Sequence, residues 1–214
     1  ATPVLYFAIW KLQMGGGAMV TASHNPSQYN GCKLNLGLGS VYADELQKVL
    51  GIIQAEHFEQ GAGTLTIVKD IDQDYIDYIV NNIHLERSVK VIIDGGNGMG
   101  GPYLPEILQR LGCEVIEMYC EPDGDFPNHH PDPTVEKNMV DLSRAVVTAE
   151  YELGIGLDGD ADRIGVVDEK GKMLFGDQIL NILARDYLKT NPGKPIIADV
   201  KCSKNLYDDI KQRG

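Results

Sequence analysis

Residues 89–119 read VKVIIDGGNGMGGPYLPEILQRLGCEVIEMY. The run at 89–94, with Val89, Val91, Ile92 and Ile93, reads as a buried strand, and 113–119 reads as another strand. Between them, 103–111 spaces its apolar residues as a helix does. Strand, helix and strand at this length form the repeating unit of a parallel α/β sheet. The turn at 96–101, GNGMGG, satisfies the pattern G-x-G-x-x-G, and Glu117 stands roughly where a ribose-binding acid belongs. A dinucleotide-binding domain is therefore one reading of this stretch. The plainer one is that the glycines allow a tight turn and Pro102 starts the helix.

Downstream, 121–133 is proline-rich and contains His129-His130. Adjacent side chains on an extended segment point apart, and no third ligand follows at zinc-like spacing, so a metal site there is disfavoured. Residues 141–150 read as a helix. The segment 157–163, LDGDADR, alternates three carboxylates with small residues between the apolar stretches 155–157 and 164–167. Small spacers let the backbone curl until Asp158, Asp160 and Asp162 converge, and hard divalent cations such as Mg2+ take oxygen ligands of this kind. Together with Glu169 these acids occupy positions of an EF-hand loop. Arg163 replaces the required glycine, however, and the flanks read as strands, which argues against a calcium loop. A solvated acidic turn is the bland alternative, and it leaves like charges crowded without a counter-ion. Residues 164–174 fold back as a hairpin through the turn at 168–171. A helix over 176–188, a strand at 195–200 and a helix at 204–212 are expected beyond it.

Upstream, 70–83 has helical periodicity, Gly61-Ala62-Gly63 is the best linker, and 65–68 is expected to form a short strand. Residues 43–53 place Leu46, Val49, Leu50 and Ile53 on one face of an amphipathic helix. The segment 15–33, GGGAMVTASHNPSQYNGCK, brings a short strand to a hydroxyl-rich turn. Asn25-Pro26 and Asn30-Gly31 are turn signals, and a second strand at 32–36 leaves the loop. Ser23 is thus expected at a strand end with His24, Asn30 and Lys33 close in sequence, a placement suited to carrying a phosphoryl group. Thr2-Pro3 reads as an N-cap and first-turn proline opening a helix.

The 214 residues are 43% hydrophobic and 23% charged, which describes a globular chain. A net charge of -12 argues against nucleic acid and anionic membrane as partners. Cys32, Cys113, Cys120 and Cys202 form no CxxC pair. With no signal-like or long apolar run, the expectation is reduced thiols in a cytoplasmic enzyme.

TASHNP at 21–26 followed by Asn30-Gly31 and Lys33, FPNHHPDP at 126–133 and DGDADR at 158–163 resemble motifs of the α-D-phosphohexomutases. The likeness is greatest to the bacterial-type phosphomannomutase/phosphoglucomutase branch. Thr2-Pro3 with Tyr6-Phe7-Ala8, and ADVKCS at 198–203, fit in the same order, so the resemblance spans nearly the whole chain. It implies an α/β fold of mixed sheets sandwiched by helices in tandem domains, truncated at both ends. The end of domain I with the phosphoserine loop would occupy 1–65, domain II with the metal loop 66–175, and the start of domain III 176–214. The glycine turn would be structural, and the 126–133 loop would lie by the active-site cleft.

The implied reaction is a reversible intramolecular phosphoryl shift on hexose phosphates of mannose/glucose type, through a phosphoserine at Ser23 and a hexose 1,6-bisphosphate. Mg2+ would be held by Asp158, Asp160, Asp162 and a phosphoserine oxygen. Arg163 would grip the phosphoryl group, and Lys33 and His24 would assist, with the general acid/base open between them. A phosphoglucosamine mutase is the alternative within the family. The family's sugar-reading and phosphate-binding loops of later domains are absent from these residues, so a weakly active chain or a non-catalytic Mg2+-binding fragment is the alternative outside it.

Overall fold

The computed structural model of the chain describes residues 1–213. Helix α1 (Thr2–Lys11) comes first, with Pro3 in its opening turn. Strands β1 (Gly16–Val20), β2 (Cys32–Leu36) and β3 (Gly39–Ser40) follow as a three-stranded antiparallel sheet in that order. β1 and β2 pair from Gly16 against Leu36 to Val20 against Cys32, so the connection 21–31 projects as a loop from one end of the sheet. Leu5 and Ile9 of α1 fill the space over Gly17, which joins the helix to β1. Helix α2 (Asp44–Gln54) has no buried residue, and its apolar Leu46, Leu50 and Ile53 are exposed.

The second unit contains α3 (Ile71–Asn82), β4 (Lys90–Asp94), α4 (Leu104–Arg110), β5 (Glu114–Met118) and a short 3-10 turn (Glu136–Met139). It continues through α5 (Val140–Ala149), β6 (Leu153–Leu157), β7 (Ile164–Asp168) and β8 (Met173–Leu174). The sheet has five strands in the order β5-β4-β6-β7-β8. β4 runs parallel to β5 and β6, whereas β6-β7 and β7-β8 are antiparallel. Alternation along β4 sends Ile92 to one face, where it packs with Met139, Leu142 and Val146 of the 3-10 turn and α5. Val91 and Ile93 face the other way, against Ile155, Leu157 and Leu104 and Leu108 of α4. Helices thus cover both faces of a mixed sheet, which is why β4 is apolar at successive positions from Val91 to Ile93. Beyond β8, α6 (Gly176–Thr190) and α7 (Lys204–Arg213) pack on each other and are tied by Arg185 donating twice to Asp209 at 2.8 Å. Among the described residues no helix is long and apolar enough to cross a membrane.

Three local expectations are corrected. Residues 65–68 and 195–200 are not strands, and Leu65, Ile67, Ile197 and Val200 are exposed. A strand exists only where a neighbour accepts its backbone hydrogen bonds, and among the described residues none pairs with either segment. Thr2 does not cap α1: Ala1 holds the cap position, and the Thr2 hydroxyl points across the molecule to Asp160.

Candidate active site

Two loops from the two sheets meet face to face. The first, 21–31, is closed by Thr21 N–H donating to the Gly31 carbonyl at 3.0 Å. Inside it Ser23 N–H donates to Thr21 Oγ1 at 2.9 Å, and Asn25 N–H to the Ala22 carbonyl at 3.0 Å. Ser23 has φ of 57°, in the left-handed region that a non-glycine residue occupies only when its surroundings hold it there. This conformation turns Oγ out of the loop toward the second unit.

The second loop joins β6 to β7, whose antiparallel pairing ends at Leu157 against Ile164. It winds around the buried Asp158 carboxylate. Oδ1 accepts from the N–H groups of Asp162 and Arg163 at 3.0 and 2.9 Å, and Oδ2 from Arg163 Nε at 3.0 Å. The glycine turn braces this loop from behind, as Met99 N–H donates to the Gly159 carbonyl at 2.9 Å. A Cβ on Gly98 would stand 2.8 Å from Gly159 Cα, and one on Gly101 would run into the Cys120 backbone. The glycines therefore serve close backbone approach. Glu117 meets Gln109 on its own side of the sheet.

Ser23 Oγ lies 2.9 Å from Asp160 Oδ1 and 3.2 Å from Asp158 Oδ2. His24 Nδ1 and Arg163 Nη2 each stand 3.4 Å from the same oxygen, and Arg163 Nη2 also donates to His24 Nδ1. Lys33, on β2, reaches over with Nζ 2.5 Å from both Asp160 Oδ2 and Asp162 Oδ2. The residues expected to carry the phosphoryl group and the metal, Ser23, His24, Lys33, Asp158, Asp160, Asp162 and Arg163, thus lie in one cluster. His129 and His130 diverge, as expected of neighbours. His129 Nε2 meets the buried Asp94 at 2.9 Å, while the His130 ring stands 6.2 Å from that of His24.

Two members were not singled out. Asp132 stands 3.6 Å from Arg163 Nη1, giving the guanidinium a third carboxylate beside Asp158 and Asp162. Thr2, fully buried, donates from Oγ1 to Asp160 Oδ2 at 2.5 Å and from its N–H to the Asp160 carbonyl at 2.9 Å. The TP dipeptide was visible in the sequence, but its helix-start meaning masked the contact.

The charges in this cluster are unbalanced. Asp132, Asp158, Asp160 and Asp162 face Lys33 and Arg163 as the permanent cations. Burial pushes the Asp158 carboxyl above the usual carboxylate range, and the nearby Asp160 charge adds to this. Burial works against Asp160 too, but hydrogen bonds from Lys33, Thr2 and Ser23 outweigh it and hold its pKa low. Burial likewise opposes the Lys33 ammonium, yet its two carboxylates win and raise its pKa above that of a free lysine.

Carboxylate oxygens of Asp158, Asp160 and Asp162 approach within 4.8 Å of one another, close enough to ligate one metal ion. The donor set is all oxygen, which suits a hard divalent cation. The Lys33 ammonium between Asp160 and Asp162 marks where these acids draw positive charge. The residues present therefore fit a divalent metal.

Residues 1–60 match the family described as phosphoglucomutase/phosphomannomutase, alpha/beta/alpha domain I, and residues 73–171 match its alpha/beta/alpha domain II. The phosphoglucomutase of Neisseria meningitidis serogroup A is 43% identical over 216 residues, covering 100% of this chain and 47% of its own length. The phosphomannomutase/phosphoglucomutase of Pseudomonas putida is 40% identical over 213 residues, covering 100% of this chain and 46% of its own. A crystal structure of a phosphoglucomutase/phosphomannomutase family protein from Burkholderia thailandensis superposes with a TM-score of 0.93 at 36% identity, over 100% of this chain and 48% of that one. The chain spans about half the length of the curated relatives it matches.

Proposed function

Because the chain belongs to the phosphoglucomutase/phosphomannomutase family of α-D-phosphohexomutases, we propose that it serves reversible phosphoryl transfer between O1 and O6 of a hexose phosphate, with phospho-Ser23 as the carrier. The names of its relatives support glucose and mannose phosphates as substrates. The observation that carries the reading is the single serine oxygen set 2.9 and 3.2 Å from two aspartates, with His24 and Arg163 beside it and Lys33 on the far oxygen of Asp160. A phosphoryl group on that oxygen would need the nearby cations and a metal ion held by the aspartates to offset its charge.

In the forward half-reaction a free sugar hydroxyl attacks the phosphorus of phospho-Ser23. The new sugar O–P bond forms as the Ser23 Oγ–P bond breaks, giving a hexose 1,6-bisphosphate. The hydroxyl proton leaves the sugar, and Ser23 Oγ is reprotonated. In the return half the other phosphate passes to Ser23, so no phosphate is consumed. The transition state is loose and its charge sits on the phosphoryl oxygens, so positioned cations dominate the catalysis. Arg163, oriented by Asp158 and Asp132, presents a planar fork to those oxygens. Lys33, kept protonated by its carboxylates, is a second donor. We leave the general acid/base towards the sugar hydroxyl between Lys33 and His24, with a protonated Lys33 able to serve only as the acid.

We assign the metal as Mg2+, held by Asp158, Asp160, Asp162 and an oxygen of phospho-Ser23. Bound there, it would supply charge neutralisation for the transferring phosphoryl group. The all-oxygen donor set and a phosphate that would otherwise face several carboxylates support this choice. We divide the chain at 65 and 175, which separates the serine loop, the acidic loop and the α6–α7 pair into domain segments. The free thiols Cys32, Cys113, Cys120 and Cys202 support work in a reducing cytoplasm.

The test is phosphopeptide mapping of protein from its native source, with the turnover of glucose 1-phosphate measured for wild type and Ser23→Ala. Phosphate on Ser23 and activity of the variant below about one-thousandth of wild type are expected. A substantially active variant would remove Ser23 from the chemistry.

A further inference from the structure

We infer that Thr2 is a positioning residue for the metal site: its hydroxyl fixes the rotamer of Asp160, and through it the distance between the acidic loop and Ser23. The inference rests on the reading of Asp158, Asp160 and Asp162 as a divalent-metal site.

Thr2 begins α1, in the first unit, and Asp160 belongs to the loop between β6 and β7 in the second. The two residues are 158 positions apart, yet two bonds tie them: the hydroxyl to Oδ2 at 2.5 Å and the N–H to the main-chain carbonyl at 2.9 Å. Thr2 is 0% exposed and Asp160 3%, so water does not compete for either bond. A threonine at a helix start ordinarily turns its hydroxyl back onto its own helix. Here α1 receives no side-chain cap, and the hydroxyl is spent across the molecule instead.

The geometry at Asp160 explains the use. Its carboxylate has two oxygens with different tasks, Oδ1 toward Ser23 at 2.9 Å and Oδ2 toward Thr2 and Lys33. A carboxylate held at Oδ2 by two donors cannot rotate, so Oδ1 keeps its line to Ser23. Lys33 has 30% of its side chain open to solvent and divides its ammonium between Asp160 and Asp162, so it is the weaker of the two constraints. The Thr2 hydroxyl, buried on a helix, is the rigid one. Removing a hydrogen bond that orients a metal ligand typically costs about 10–100-fold in metal affinity or activity.

The experiment compares Mg2+ binding, by isothermal titration calorimetry, in wild type, Thr2→Val and Thr2→Ser. Valine keeps the shape and removes the donor; serine keeps the donor. About a 10-fold or larger loss of Mg2+ affinity in Thr2→Val, with Thr2→Ser within about two-fold of wild type, is expected. The Mg2+ concentration for half-maximal turnover should rise in parallel. Unchanged affinity in Thr2→Val overturns the inference, as does equal loss in both variants, which would assign the effect to packing of the methyl group. Should Thr2→Val not fold, Thr2→Ala against Thr2→Ser makes the same comparison. Wild type that binds no Mg2+ would overturn the metal reading itself, an outcome distinct from failure of Thr2 alone.

Discussion

In the five-stranded sheet β4 is buried from 91 to 94 and β6 from 154 to 157, whereas in the three-stranded sheet Asn35 of β2 is the one buried residue. Both sheets send a loop to the same cluster, but with unequal support. The acidic loop extends from strand ends locked between two helical layers, and its own amides wrap Asp158. The serine loop rests on thinly covered strands and is shaped by short-range turn bonds and a left-handed Ser23. Its position relative to the aspartates depends on contacts between the units, at Gly159 and at Thr2. The well-buried sheet supplies the frame, and the lightly covered one supplies the serine oxygen.

The largest expected effect tests the imbalance directly. Ile93→Ala, at 0% exposure in the sheet core, should cost about 2–5 kcal/mol in urea unfolding. Leu50→Ala on exposed α2 should stay within about 0.5 kcal/mol. Similar losses at the two sites would break the comparison.

A smaller effect is expected where the loops touch. A Cβ on Gly159 would enter the Ser23 carbonyl, so Gly159→Ala must push the loops apart. The expected cost is about 1–3 kcal/mol, with phosphoryl transfer falling by more than the loss of folded protein explains. Gly63→Ala, where nothing lies within 4 Å, is the control and should be silent in both assays. Full transfer by Gly159→Ala would show that the loops do not need this approach.

The smallest effect concerns the loop at 126–133. The hydrogen bond to Asp94 lifts the His129 pKa above its ordinary 6.5, against an opposing effect of burial. A raised histidine stabilises the fold fully below pH 6.5, and that stability is lost as pH rises through the higher folded value. Thermal melts should therefore show wild type losing an increment of stability above pH 6.5 that His129→Gln does not lose. Identical slopes for the two proteins would separate His129 from the stability of this loop.

Much of the arrangement was legible along the chain. The period of 89–119 announced a strand, helix and strand, realised as β4, α4 and β5. The alternating acids of 157–163 and the hydroxyl-rich turn at 21–26 named the loops that meet. Asp132 was not singled out because an aspartate in a proline-rich loop is ordinary until its distance to Arg163 is known. The strands expected at 65–68 and 195–200 had suitable composition, but no described strand lies beside them.

Residue periodicity and turn chemistry are local properties, and they sufficed for the β4-α4-β5 unit, the two loops and the oxygen-rich character of the acidic one. Pairing is not local. Ser23 Oγ and Asp160 Oδ1 are 137 positions apart and 2.9 Å apart in space, and only the packing of two sheets sets that distance. The same packing decided which residue would hold Asp160, by burying a threonine hydroxyl that finds its partner across the molecule rather than on its own helix. A buried donor must be satisfied by whatever acceptor the fold brings within reach, and no reading along the chain reveals which one that is.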